Sequence, residues 1–504
     1  MTDENPVDGD ESDSTSTEPD HVVTAFLRNR GEILACRRSD DVGTYPGAWG
    51  GVSGFAEGDP DEQVRVEIRE ETGLPDDAVS LVRSGRPLSV SDPDIGREWV
   101  VHPFLFDVDT REIELSDEHT DAAWIPPTDL AVGDRETVPK LWETYERVAP
   151  TVRSITADDE HGAAWLSIRA LDVLRDRAGL LVRERGDESA SGSTAEQVGD
   201  ANADDEWDEL AALATRLLEA RPSMAVLRNR VNRAMNDALT AHDDSSADTD
   251  GDPAGSGTAT EPTTGAGAVL ESTIDGIDRA VDADAAATRA GAEFVTGRVL
   301  TLSRSGTVRD ALRAGELDRV FVAESRPGSE TDRREVSENS SGETAGSETD
   351  RREGSEDAGG EGVGVAEELA AFVPVTLCAD AAVAHVLATE SIDAVVVGAD
   401  TVLPDGGVVN KVGTRAAAIA AAAENVPVYA ITASAKVSTR DGVNLESGDR
   451  RALYVGDAAI DVTNPTFDVT PAEYVTGLVT ERGILDPDEI EPIADDFRAY
   501  EAWR

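Results

Sequence analysis

Three carboxylates define the first place where chemistry could occur. Glu67, Glu70 and Glu71 stand at i, i+3 and i+4, a spacing that brings all three to one face of a helix. Like charges so placed repel unless a cation bridges them. Hard oxygen donors in a cluster suit Mg2+ or Mn2+, which in turn bind phosphates. A solvated acidic face is the plainer reading of the same pattern. A second place is Asn410-Lys411-Val412-Gly413-Thr414, which follows the turn Asp405-Gly406-Gly407 and opens a helix. A helix N-terminus with free N–H groups and a nearby lysine suits an anion such as phosphate. Lys140, Lys411 and Lys436 are the only lysines in the chain, so two of the three fall in this region.

The elements that must position these residues can be read from pattern. Asp61 to Thr72 reads as a helix, opened by Pro60 and closed by Gly73. His21 to Leu27, Glu32 to Arg37 and Trp99 to Asp107 read as strands around it. Residues 151–240 read as helical, with Ala163 to Arg177 and Glu206 to Ala220 carrying apolar residues at three- and four-residue spacing. Residues 268–485 alternate short apolar strands (Arg298 to Leu302, Arg319 to Ala323, Val373 to Cys378, Ala394 to Val397, Val426 to Thr432) with helices such as Asp380 to Thr389 and Thr414 to Glu424. That alternation predicts a parallel sheet with helices on both faces, whose ligands sit beyond the carboxyl ends of the strands. Residues 1–19, 186–206, 241–267 and 327–364 have the composition of disordered tails and linkers. The last contains the octapeptide GSETDRRE twice, at 328–335 and 346–353, as a duplicated linker would.

The chain has 504 residues and a formal net charge of −57, which predicts two or three domains. Acidity spread over the folded segments, with so little lysine, resembles the cytoplasmic proteins of extreme halophiles. It argues against direct nucleic-acid binding through a basic face. Cys36 and Cys378, the only cysteines, exclude a disulfide framework or a Cys-rich zinc site. The acidic N-terminus does not read as a signal peptide, and no apolar run approaches the ~20 residues that span a bilayer. A soluble, cytoplasmic protein without membrane contact is expected. The six histidines show no metal-ligand spacing and read as structural or exposed. Trp49 and Trp124 read as core.

Trp49-Gly50-Gly51-Val52-Ser53-Gly54, then Glu57, then Glu67-Ile68-Arg69-Glu70-Glu71-Thr72-Gly73-Leu74 resembles the box of the Nudix family. The family pattern is Gly, five residues, Glu, seven residues, then Arg-Glu-apolar-x-Glu-Glu-x-Gly-apolar. Val66 stands where the family has Arg, and twelve positions separate Gly54 from Val66 where the pattern has fourteen. Arg65 is one position off, or ~100° around a helix. The resemblance covers about residues 20–150, with Arg37-Arg38-Ser39 before the box and Ala123-Trp124-Ile125-Pro126 after it. It implies an α/β/α sandwich. It also implies that Glu67, Glu70 and Glu71 hold a divalent metal on a pyrophosphate, with one carboxylate helping to activate water.

Gly398-Ala399-Asp400-Thr401, Asn410-Lys411-Val412-Gly413-Thr414, Pro427-Val428-Tyr429 and Lys436, in that order, resemble the translation initiation factor 2B α/β/δ superfamily. That superfamily also holds methylthioribose-1-phosphate and ribose-1,5-bisphosphate isomerases. Asp158 to Ala163, Arg221-Pro222-Ser223, Glu324-Ser325-Arg326-Pro327 and Asn464 to Pro471 extend the match over roughly 150–490. The resemblance implies a helical subdomain followed by a Rossmann-like subdomain, and a homodimer. It implies Asp400 as a catalytic or sugar-facing residue. Arg221, Arg326, Asn410, Lys411 and Gly413 would be substrate-binding. The isomerases pair that Asp with a Cys in a Thr-His-Cys segment. Here Leu302 and Ser303 occupy the His and Cys positions, and a hydroxyl is a far weaker acid than a thiol.

The sequence therefore predicts an α/β fusion: a sandwich over 20–150, a helical subdomain over 151–240 and a Rossmann-like subdomain over 268–504. Three functional readings stay open. The first is Mg2+- or Mn2+-dependent hydrolysis of a nucleoside diphosphate derivative, joined to a sugar-phosphate- or nucleotide-binding part. The second is a non-catalytic regulator of the factor 2B type, with translation initiation factor 2 subunits as partners. The third is a sugar-phosphate isomerase that works despite Ser303.

Overall fold

The computed structural model describes residues 19–158, 161–190, 195–247, 265–325 and 360–504. It divides into two compact units, residues 1–149 and 150–504.

The first unit runs β1 (Asp20–Asn29), β2 (Glu32–Arg38), β3 (Trp49–Gly50), β4 (Val52–Phe55), α1 (Pro60–Thr72), β5 (Val79–Ser84), β6 (Leu88–Asp92), β7 (Arg97–Val108), β8 (His119–Ile125), α2 (Asp129–Val132) and α3 (Leu141–Glu146). β1 is the centre of a mixed sheet. It lies parallel to β7 and antiparallel to β2 and β4. Residues 23–28 are buried on both faces because both are covered. On one side Val64 and Ile68 of α1 meet Val23, Ala25, Leu27, Val52, Phe104 and Phe106. On the other, Phe26 packs edge-on against Tyr145 of α3, 5.4 Å between ring centres. The helix starts where expected. The Asp59 carboxylate accepts from the Asp61 N–H at 3.0 Å and Pro60 takes the first position, where its missing N–H costs nothing. It ends at Gly73, whose φ of 71° suits glycine.

The second unit begins with helices α4 (Val152–Ala157), α5 (Ala163–Ala190), α6 (Ala195–Ala220), α7 (Ala225–Ala247) and α8 (Ala266–Ala292). Leu171, Leu174, Leu210, Leu217, Val231, Met235 and Val269 form their shared core, which Trp503 completes. Several expectations change here: residues 186–190 and 241–247, read as linker from composition, are the last turns of α5 and α7. Residues 195–206, read as linker from composition, continue α6, because an acidic run with alanine still propagates a helix that packs along its far end. The start of α8, assigned by sequence to the Rossmann-like part, packs with α5 and α7 instead. The repeated octapeptide lies outside the described residues.

The sheet of this unit follows as β9 (Thr296–Leu302), α9 (Gly306–Ala314), β10 (Glu316–Ala323), α10 (Glu361–Leu369), β11 (Val375–Cys378), α11 (Val383–Thr389), β12 (Ala394–Val397), β13 (Thr401–Val402), β14 (Val408–Lys411), α12 (Thr414–Ala423), β15 (Val428–Ile431), β16 (Phe467–Thr470), β17 (Gly477–Thr480), β18 (Gly483–Leu485) and α13 (Ile490–Ala499). Strand order is β11-β10-β9-β12-β15-β17-β18, parallel except for the last pair. α9 and α10 cover one face, and α11, α12 and α13 the other. β13, β14 and β16 form a small antiparallel sheet. No helix among the described residues is long and apolar enough to cross a membrane.

Replacing Tyr145 by Ala should destabilise the first unit by about 3–5 kcal/mol, because the ring is fully buried between Phe26 and Trp142. Urea unfolding of the full chain, followed through the transition of this unit, measures it.

Candidate functional site

In the first unit α1 presses its acidic face onto β4. Glu71 is buried. Its Oε2 accepts from His119 Nε2 at 2.8 Å, and its two oxygens face the Ser53 N–H at 3.3 and 3.4 Å. Glu67 is half-buried, and its carboxylate lies directly on Gly54. A Cβ at Gly54 would stand 2.1 to 2.3 Å from the carboxylate atoms, so a side chain there would displace the Glu67 carboxylate. Gln63 Nε2 donates to Glu67 Oε1 at 2.7 Å. Glu70 is exposed. Burial is the main cause that pushes the Glu67 and Glu71 carboxyls above the usual range. Glu70 and Glu71 push Glu67 further up, and Glu118, an exposed carboxylate just before β8, does so to both Glu67 and Glu71. The same surroundings raise the Cys36 thiol to about 12, by burial first and then by the Glu71 charge, so Cys36 stays protonated and inert.

The donor set fits a hard divalent cation: crowded carboxylates, of which Glu67 and Glu71 are disfavoured in their charged form until a cation arrives. Among the described residues no three His, Cys, Asp or Glu side chains are already drawn together as a coordination sphere. The missing arginine is not replaced by its neighbour. The Arg65 guanidinium lies over the Phe106 ring, 5.5 Å from its centre, and Arg69 pairs with Asp76. The neutral amide of Gln63 is what holds Glu67. The loop length also reads differently in three dimensions. Gly54 is a strand residue, whereas Gly51 sits at the junction into β4, where a Cβ would come within 2.8 Å of the Ala25 carbonyl. Counted from Gly51, Glu57 falls on the pattern and Val66 stands one position late; the loop is longer by one residue, not shorter by two.

Sequence reasoning missed His119 and Glu118. His119 was expected to be structural or exposed, and it is buried with one ring nitrogen on a box carboxylate. Only chain reversal through β8, which pairs with β2, brings it there. Trp49 and Trp124 lie half-buried under guanidinium groups, Arg135 and Arg111 respectively.

In the second unit the strand ends converge as a parallel sheet requires. Ser303 follows β9, Ser325 follows β10 and Asp400 follows β12. Ser303 and Ser325 both hold left-handed backbones, φ 66° and 55°, and the Ser303 N–H donates to Ser325 Oγ at 2.6 Å. Strain of this kind in buried non-glycine residues persists where surroundings enforce it, often at sites. Asp400 is half-buried beyond the end of β12. Its carboxyl is pushed up by burial and held back by the charges of Lys436 and Lys411. Lys436 donates to the Ala399 carbonyl at 2.6 Å, and burial pushes its ammonium down.

The expected substrate-binding residues are largely engaged within the protein. Lys411 pairs with Glu361 at 2.8 Å and lies over Phe467. The α12 N-terminus, expected to hold phosphate, is filled by Asp468. Its carboxylate accepts from the Gly413 N–H at 2.8 Å and the Arg415 N–H at 3.1 Å. Asn410 Nδ2 donates to Thr414 Oγ1 at 3.0 Å. Arg221 donates to the Ile155 and Asp158 carbonyls, bracing the end of α4. Arg326 lies outside the described residues.

The two units thus join a carboxylate-faced helix on a mixed sheet to a helical bundle with a parallel α/β sheet. The chain belongs to the Initiation factor 2 subunit family, whose model matches residues 159–343 and 359–487, and it carries a NUDIX domain over residues 18–148. It is 34% identical over 200 residues to a methylthioribose-1-phosphate isomerase of Trichodesmium erythraeum, covering 37% of this chain and 47% of that protein. It is 40% identical over 135 residues to one of Heliobacterium modesticaldum, covering 24% and 38%. The chain therefore spans less than half the length of these curated relatives. A solved translation initiation factor eIF-2B of Pyrococcus horikoshii OT3 is 21% identical, covering 67% of this chain and 96% of that one at a TM-score of 0.45.

Glu67→Gln should raise the thermal midpoint at pH 7 by a few degrees. A carboxyl whose folded pKa is raised binds its proton more tightly in the native state, so stability falls as pH rises from the unfolded value of 4.5 through the folded one. Removing the charge removes that loss. Calorimetry at pH 4 and pH 7 tests it: the gain is expected at pH 7 and should shrink at pH 4.

Proposed function

We propose that the first unit is a divalent-metal-dependent hydrolase of a nucleoside diphosphate derivative, and that the second unit binds a sugar phosphate or nucleotide. The observation that carries the first part is the Glu67–Glu71 pair, held on β4 by Gly54, the Ser53 N–H and His119. Glu67, Glu70 and Glu71 would hold Mg2+ or Mn2+. When bound, the cation neutralises pyrophosphate charge and lowers the pKa of the attacking water. The residues around it have separable tasks. His119 Nε2–H fixes one oxygen of Glu71, leaving the other to bind. Gln63 does the same for Glu67. Glu70 is exposed and forms no hydrogen bond or ion pair with any described residue, so it can accept a proton from water at the substrate. Val66 leaves Glu70 without a guanidinium to orient it, which predicts slow turnover rather than none.

A specific observation favours a second reading of the second unit. Asp400 and Lys436 are half-buried beyond the carboxyl ends of β12 and β15, the carboxyl pushed up by burial and the ammonium pushed down by it. Groups so poised suit acid–base work, and the relatives named above are isomerases. The non-catalytic reading, with translation initiation factor 2 subunits as partners and a homodimer as the unit, rests on Ser303 and Val66.

Release of phosphate or nucleotide from a panel of nucleoside diphosphate and triphosphate compounds, in molar KCl with Mg2+ or Mn2+, tests the hydrolase. Turnover should fall by about two orders of magnitude in Glu70→Gln; equal turnover in that variant, or none in the parent, contradicts it. The isomerase reading requires turnover of ribose 1,5-bisphosphate or methylthioribose 1-phosphate that Asp400→Asn abolishes. Failure of both, with co-purification of factor 2 subunits, would leave the regulator.

A further inference from the structure

The second unit has a cleft of about 220 Å³ lined by Pro222, Ser223, Arg228, Thr401, Ser438, Arg440 and Asn444. Its cations stand out in a chain of net charge −57. Arg228, on the first turn of α7, is 7% exposed. Its one direct hydrogen bond among the described residues is a long one, 3.4 Å to the Pro222 carbonyl, and it forms no ion pair with a described carboxylate. A buried guanidinium is expected to have a carboxylate partner, and carboxylates outnumber guanidinium groups here by more than two to one.

The neighbours make this odder. Burial first, and then the like charge of Arg440, hold Arg228 below its usual range; Glu501 opposes them more weakly than Arg440 acts, and Arg504 adds a smaller like-charge push. The Glu501 carboxylate is already accepting from Thr439 Oγ1 at 3.2 Å. Arg440 is exposed, and its side chain has no partner among the described residues. Its backbone is fixed: Ser438 Oγ donates to the Arg440 carbonyl at 2.9 Å and accepts the Arg440 N–H at 3.0 Å. Arg498 Nε donates to the intervening Thr439 carbonyl at 3.0 Å. Arg504 is turned to Asn232, and Ser223 Oγ donates to Glu446. Two guanidinium groups thus line one cleft with no ion pair to a described carboxylate, while Lys411 and the α12 N-terminus have their carboxylate partners.

We infer that this cleft is the phosphate-binding site of the second unit, with Arg228 and Arg440 as a two-sided clamp for the phosphate of a small phosphate ester. Guanidinium forks match phosphate oxygens bidentately. The Asn444 amide supplies a neutral donor beside them, while the Ser223 and Ser438 hydroxyl protons are already given to Glu446 and to the Arg440 carbonyl. Thr401 lines the cleft, and Asp400 precedes it in the chain, so an ester with its phosphate here extends toward Asp400. The volume suits one phosphate and a short polyol rather than a larger ligand. The inference rests on the sugar-phosphate reading of this unit and names the residues that would carry it out.

Isothermal titration of the full chain in molar potassium acetate with EDTA, using inorganic phosphate and ribose 5-phosphate, tests it. Both should bind, and both should lose about tenfold or more in affinity in Arg440→Ala. Arg228→Gln should do the same; Arg440, being exposed, keeps the test valid if Arg228→Gln fails to fold. If both ligands bind but only Lys411→Ala weakens them, the clamp is wrong and the sugar-phosphate reading stands. If phosphate binds through the arginines while ribose 5-phosphate gains nothing over it, the clamp stands and the sugar reading falls. No binding of phosphate by the parent protein overturns the inference.

Discussion

The first unit depends on one contact, the acidic face of α1 against the backbone of β4. Glu67 and Glu71 can hold their carboxylates there because Gly54 has no side chain to displace that of Glu67 and because Ser53 and His119 offer donors to Glu71. The apolar face of the same helix, Val64 and Ile68, is what forces the approach, since it completes the core over β1 and β7. Burial of the carboxylates is thus a consequence of packing. Their raised protonation is its electrostatic cost, and a divalent cation is the partner that would relieve it.

The second unit handles charge differently. In so acidic a chain every cation has many possible partners, and the two groups expected to hold phosphate have found theirs. Glu361 takes Lys411, and Asp468 takes the α12 N-terminus. What stays unneutralised is therefore informative. Arg228 and Arg440 line a cleft without an ion-pair partner, and Asp400 and Lys436 sit half-buried with the carboxyl pushed up and the ammonium pushed down by burial. These features lie at the carboxyl edge of the parallel sheet, where strand ends leave room for a ligand.

Much of this was legible beforehand. The α1 helix, its Pro60 start and Gly73 stop, and the strands β9, β10, β12 and β15 follow from period and cap residues, which are local signals. The box carboxylates were legible for the same reason. His119 was not, because it reaches Glu71 from 48 positions away through strand pairing that no local pattern encodes. Lys411 and Gly413 were read as anion-binding from the helix N-terminus alone; the answering carboxylate, Asp468, comes from β16, some 55 positions on. Arg228 gives no local signal: it lies on the first turn of α7, and its lack of an ion-pair partner is visible only in three dimensions. Composition misled at 195–206, where an acidic, alanine-containing run is helical.

The central claim is that the face of α1 is a divalent-cation site. Mn2+ titration of the full chain followed by electron paramagnetic resonance tests it most directly. The account predicts loss of the free-ion signal on binding to the parent protein, and weaker binding by about tenfold or more in Glu71→Gln. Equal Mn2+ affinity in the parent and in Glu71→Gln would contradict it.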